Sequence, residues 1–125
     1  MRREKHMMSP IDTFKLKQLI GDQDALINSM LLLFANDLTE HISQLQALNG
    51  EPDTWPTYQK LLHRLIGSAS YFGTDDLRTV LLHAEALSRE HDGEALNAML
   101  EQVYREAARV LACDLMQKAM TDPTS

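Results

Sequence analysis

Residues 58–73 of this 125-residue chain read Tyr-Gln-Lys-Leu-Leu-His-Arg-Leu-Ile-Gly-Ser-Ala-Ser-Tyr-Phe-Gly. At about 100° per residue, with Tyr58 as zero, Leu61, Leu62, Leu65, Ala69 and Phe72 all fall within roughly 60° of it. That is the apolar stripe of a helix that meets a core. His63 falls outside the stripe, at about 140° on the same wheel. Gly67 (i+4) and Ser70 (i+7) lie beside it, and Lys60 (i−3) lies one row further round. The imidazole is therefore expected to face water over backbone without bulky cover. A mid-helix glycine costs about 0.5–1 kcal/mol relative to alanine, so Gly67 calls for a reason, and close approach by another protein is one.

The rest of the chain reads as helix on both sides of this segment. All four prolines (Pro10, Pro52, Pro56, Pro123) sit in apparent loops, termini or a first helical turn, where a missing N–H matters little. Strict alternation of β-branched residues is absent, and Leu, Ala, Met, Glu and Gln dominate. Asp12 is placed to cap a short helix to Leu19, closed by Gly21, and Asp22 to cap a long one to about Leu48 before Gly50. The segment from Asp53 to Phe72 makes the third helix, ended by Gly73. Thr74, Asp75 and Asp76 supply a cap and first-turn acids for a fourth, through about Arg89. After Gly93, a last helix is expected from Glu94 to about Met120. The fold class is all-α: an antiparallel up-down four-helix bundle with a short additional N-terminal helix. Residues 1–10 are read as a linker or appended remnant, 11–120 as the bundle and 121–125 as a tail.

Composition narrows the function. Hydrophobic residues make up 44% and charged residues 24% of the chain, and the net charge is −6. An acidic balance disfavours nucleic acid or anionic lipid as a partner, and the longest apolar run is too short for direct membrane insertion. One cysteine, Cys113, excludes an internal disulfide and a thiolate metal site, which suits a reducing cytoplasmic setting. Among the five histidines, none pairs with another at metal-ligand spacing, so no metal is expected. His41 falls on the apolar stripe of its helix and is expected to be semi-buried and hydrogen-bonded, with His83 at a boundary. Glu85 is read as a structural or capping carboxylate rather than a catalytic base. Trp55, beside Pro56, is expected to anchor the start of the third helix. No paired carboxylates, nucleophile triad or phosphate loop suggests an independent enzyme.

One exposed helical histidine by itself signifies little, but its neighbours form a pattern. His63-Arg64-Leu65-Ile66-Gly67-Ser68-Ala69, followed by Gly73, Leu77 and Glu85, resembles the signature of histidine phosphotransfer (HPt) domains. That signature runs His-x-Leu-Lys-Gly-Ser-Ala, then Gly-Ala, a Leu, and a Leu-Glu pair on the next helix. The match covers some 25 residues directly, and helix count and order agree over nearly the whole chain. The resemblance implies a phosphocarrier in a two-component phosphorelay, with His63 accepting a phosphoryl group from one receiver-domain aspartate and passing it to another. Gly67 would leave room for the receiver. The partners implied are receiver domains of response regulators or of a hybrid sensor kinase, of which this chain could be the C-terminal domain. Mg²⁺ would come from the receiver, so no cofactor is expected here.

Three positions depart from that pattern. Ile66 stands where the family usually has a lysine that steadies the phosphohistidine, Thr74 replaces the common alanine, and Leu81 and Ala84 replace the usual Cys and Leu. With Ile66 uncharged, Lys60, or less directly Arg64, is the expected substitute cation. The docking surface is expected around His63, with Ile66 and Tyr71 as apolar anchors and Lys60 and Arg64 facing the receiver's acidic rim. Ser70 is placed in the same supporting group. The competing reading is a helical docking module that binds a receiver without accepting phosphate.

Overall fold

The computed structural model describes residues 9–48 and 52–121, which form six helices and no strand. They are α1 (Thr13–Ile20), α2 (Asp24–Leu48), α3 (Trp55–Tyr71), α4 (Asp75–Arg89), α5 (Gly93–Ala112) and α6 (Asp114–Thr121), with a 3₁₀ turn over Pro52–Thr54 ahead of α3. The all-α expectation holds. Most of the stretches assigned to linker and tail, and Gly50, lie outside the described residues.

Local chemistry explains most of the boundaries. Asp12 caps α1 by accepting a hydrogen bond from the Lys15 N–H at 3.1 Å, and Gly21, at φ 106°, ends it. The long helix begins one residue later than a cap at Asp22 would place it. Gln23 occupies the cap position, its carbonyl accepting the first intrahelical bond from Ile27 N–H at 3.0 Å. Asp92 caps α5 through the Ala95 N–H at 3.1 Å.

Two turns share one hydrogen-bond design. After α3, Thr74 N–H donates to Ala69 O and Gly73 N–H to Ser70 O, with Gly73 at φ 66°. This is the paired 6→1 and 5→2 closure of a Schellman motif. Thr74 is not the side-chain cap that its position suggested. It is fully buried, and its hydroxyl donates to Ala69 O at 2.9 Å instead of accepting from the α4 amide N–H groups. After α4 the same closure recurs, with Asp92 N–H to Leu87 O and His91 N–H to Ser88 O. Here the left-handed residue is His91, at φ 56°, a conformation that costs a side-chain-bearing residue roughly 1–2 kcal/mol. Stacking of the His91 ring on Trp55 (centroids 5.1 Å apart, planes within 6°) offsets part of that. Trp55 also lies beside Gly93 and tilts against Tyr58, so it does secure the start of α3.

The expected single last helix is two. Cys113 adopts an extended conformation (ψ 158°), and Gln117 Nε2 donates to the Leu111 carbonyl freed by the break. The break turns α6 back onto α2, so that Met116 and Ala119 enter the core.

α3 packs along α4 and α4 along α5, while α2 packs on α6 and α3. Leu31, Leu38, Leu62, Leu65, Leu81, Leu96 and Val103 are buried between them, each buried leucine contributing about 1.5–3 kcal/mol. Phe34 of α2 stacks on Phe72 at the end of α3, with ring centroids 4.3 Å apart. The start of α1 is tied to the α3–α4 turn by the Asp12 N–H, which donates to Gly73 O at 2.9 Å. An exposed Lys15–Asp75 pair at 3.3 Å lies alongside. No helix among the described residues is long and apolar enough to cross a membrane.

The two glycines of the original stretch are expected to respond oppositely to alanine. At Gly73 a Cβ would stand 3.1 Å from the Asp12 carbonyl oxygen in a left-handed conformation. Gly73→Ala should therefore lower stability by about 1–2 kcal/mol in urea denaturation. At Gly67 a Cβ would meet nothing within 4 Å, so Gly67→Ala should raise stability by about 0.5–1 kcal/mol.

Candidate functional site

His63 stands at the middle of α3 with 81% of its side chain exposed. The α3–α4 hairpin gives it a facing residue: His63 and Glu85 are equally far in sequence from Thr74, and in an antiparallel pair that places them side by side. The Glu85 Oε2 lies 3.5 Å from His63 Nδ1, an electrostatic contact longer than a good hydrogen bond. The other carboxylate oxygen, Oε1, is 3.1 Å from Arg89 Nη2, one helical turn along α4. Glu85 itself is only 8% exposed. Its nearly buried charge is thus divided between an imidazole and a guanidinium, and it caps no helix.

The same antiparallel register sets two further contacts along the hairpin. Gln59 Nε2 approaches the Ser88 carbonyl at 3.5 Å. At the other end Arg78 Nε donates to Ser70 Oγ at 2.9 Å, while that hydroxyl donates to Ile66 O. Ile66 is half-buried against the core on this side of α3, less available as an anchor than expected. Lys60 is exposed and has no ion-pair partner among the described residues. Above Gly67 there is open space.

The opposite edge of α3 faces α2 through a second polar chain. Ser68 Oγ donates to Asp37 Oδ2 at 3.3 Å. His41 Nδ1 lies 2.7 Å from the Asp37 carbonyl oxygen and 3.1 Å from Asp37 Oδ1. His41 Nε2 is 3.3 Å from Arg64 Nη1. Since arginine only donates and a carbonyl only accepts, His41 carries its proton on Nδ1 and accepts at Nε2. The hydrogen bonding expected of His41 is present, and the residue is more fully buried than the semi-buried position expected. Arg64, however, is turned to His41 and α2, away from His63. His83 is exposed on α4.

Between α2 and α3 runs an open groove of about 480 Å³, floored by Phe34 and Phe72 and edged by Met30, Leu33, Gly67 and Tyr71. Leu33 and Tyr71 expose 64% and 40% of their surface. Of the expected site residues, His63, Gly67, Lys60 and Tyr71 share one exposed face, whereas Arg64, Ile66 and Ser70 are engaged at its edges. Glu85's contact with the imidazole, Arg89 and the groove residue Leu33 were missed from sequence. Glu85 and Arg89 carry the signal of an i, i+4 acid–base pair, legible once the hairpin register is known.

The chemistry available is that of an exposed nucleophile. With Nδ1 against a carboxylate, Nε2 is the ring nitrogen left open to solvent and to a partner.

A search of curated proteins gives no match. Among solved structures, a rice protein described as a histidine-containing phosphotransfer protein superimposes with a TM-score of 0.78 at 15% identity, covering 94% of this chain and 84% of that one. At that identity the likeness shows the fold. The model of the Hpt domain matches residues 29–119, which take in the core of α2, the whole of α3 to α5 and most of α6. The helical bundle agrees with that match, and the chain belongs to the Hpt domain family.

Proposed function

We propose that His63 is the phosphoryl-carrying residue of a relay between receiver-domain aspartates. The observation that carries this reading is the exposed His63 imidazole beside open space at Gly67, on a helix whose opposite face is buried. The Nε2 lone pair attacks phosphorus of an aspartyl phosphate, the N–P bond forms, and the bond from phosphorus to the aspartate oxygen breaks, releasing the carboxylate. The ring proton stays on Nδ1, facing Glu85, so the positive charge that develops on the ring is met by a carboxylate. Transfer to a second receiver reverses these steps. Mg²⁺ held by the receiver would offset the charge of the transferring group. The chain is then a carrier and a substrate, not a catalyst, and it works in the cytoplasm where receivers are found.

Docking on this reading uses the groove beside Gly67, with Leu33 and Tyr71 as the exposed apolar contacts. Lys60 supplies an exposed cation toward an acidic receiver rim. Glycine at 67 permits the receiver's reacting carboxylate to reach Nε2 without displacing a side chain.

Transfer of radiolabelled phosphate from phosphorylated receivers tests this. Wild type should take up acid-labile, alkali-stable label and His63→Gln none; receiver binding without label on wild type would establish the docking-module reading instead. Gly67→Leu should keep its helical signal and lose at least about tenfold in transfer rate, since reacting atoms must approach within bonding range. Leu33→Asp should weaken receiver binding by about tenfold in a titration while leaving the unfolding midpoint near wild type.

A further inference from the structure

Glu85 poses an electrostatic problem that His63 alone cannot solve. A carboxylate only 8% exposed is costly to hold ionised unless it is paired. Its partners are the His63 Nδ1 at 3.5 Å and the Arg89 Nη2 at 3.1 Å. These differ in kind, because a guanidinium is charged at every relevant pH whereas an imidazole gains or loses its charge near neutrality.

We propose that Arg89 is a positioning residue for phosphoryl transfer, holding the Glu85 carboxylate so that His63 is presented as a neutral ring with its proton on Nδ1 and Nε2 free. The inference rests on the phosphocarrier reading. With Arg89 in place, the carboxylate is balanced whatever the state of His63. The imidazole then needs only to donate its Nδ1 proton toward Oε2. Without Arg89, His63 is the carboxylate's remaining partner, and the nearly buried charge is best met by an imidazolium. An imidazolium carries a proton on Nε2 and cannot attack phosphorus.

The geometry supports a role through Glu85 rather than on the phosphoryl group itself. Arg89 and Glu85 stand one turn apart on α4, and the carboxylate spans from the guanidinium to the ring with one oxygen on each. The charged groups around His63 are few. From α4 they are Glu85 and Arg89, with Arg78 further along the same flank bonded to Ser70; from α3 itself, Lys60 one turn earlier is exposed and Arg64 is drawn off to His41. On α2 the nearest acid of the α3 face, Asp37, is taken up by Ser68 and His41. Arg89 is thus the cation whose removal changes the balance at Glu85.

The test uses the full chain labelled with ¹⁵N-histidine. Ring nitrogen shifts are followed against pH, and uptake of phosphate from phosphoramidate, a small donor that needs no receiver, is followed alongside. In Arg89→Gln the protonation midpoint of His63 should move up by about one pH unit, with uptake at pH 7 slowed about threefold. Arg89→Lys should restore both. In a Glu85→Gln background, Arg89→Gln should have no further effect. A midpoint left in place by Arg89→Gln, or moved equally with and without Glu85, would overturn the proposal. The ring signature is read on unphosphorylated protein, so failure of every receiver to label His63 would sink the carrier reading separately from this one.

Discussion

The register of the α3–α4 hairpin is the constraint on which the site depends. It is fixed at one place, where Gly73 in the left-handed conformation lets Thr74 and Gly73 close the helix on Ala69 and Ser70. The Thr74 hydroxyl adds a second bond to the same Ala69 carbonyl, so that α4 leaves the turn in a single direction. From there three polar contacts follow at spacings set by two antiparallel helices: Arg78 to Ser70, Glu85 to His63 and Gln59 to Ser88. A slip of one residue would rotate Glu85 by about 100° and take it off the imidazole. The Asp12 N–H bond to the Gly73 carbonyl extends the same constraint to the chain ahead of α1.

With the register fixed, α3 divides its surroundings cleanly. One flank carries the carboxylate and its arginine on α4; the other carries Asp37 and His41 on α2, which hold Ser68 and Arg64. Both flanks are polar and bonded, so the helix is braced from two sides while its outermost row, Lys60, His63 and Gly67, stays uncovered. No buried side-chain nitrogen or oxygen among the described residues lacks a partner. On the carrier reading, rigid support under His63 favours transfer, because a helix that does not yield converts docking directly into approach of the reacting atoms.

How much of this was legible in the sequence follows from which interactions are local. The wheel of α3 separates Leu62 and Leu65 from His63 because a helix face is a matter of residue spacing. The caps at Asp12 and Asp92 and the left-handed Gly73 are equally local. Cys113 was not legible as a break. Val110, Leu111 and Leu115 continue a helical period through it, and only the chance to bury Met116 and Ala119 against α2 favours turning. Thr74 misled for the reverse reason, since its hydroxyl could either accept from the α4 amides ahead or donate to the Ala69 carbonyl behind, and in the buried turn it donates backward. Arg64 and Arg89 show the limit for the site: which of two cations lies on the flank of His63 depends on the tertiary partners His41 and Glu85, not on distance along the chain.

Ile66 acquires a physical sense in this arrangement. At that position a lysine would add a permanent cation beside the phosphohistidine, whereas isoleucine is half-buried against the core and contributes packing. The charges that remain nearby are already largely balanced, Glu85 against Arg89, with Lys60 exposed and without an ion-pair partner among the described residues. On the carrier reading, a phosphoryl group bringing close to two negative charges onto Nε2 finds only partial compensation there. Partial compensation leaves the N–P bond at high transfer potential. A relay intermediate held too tightly would be a sink for phosphate, so a site that stabilises the neutral nucleophile more than its phosphorylated product favours passing the group onward.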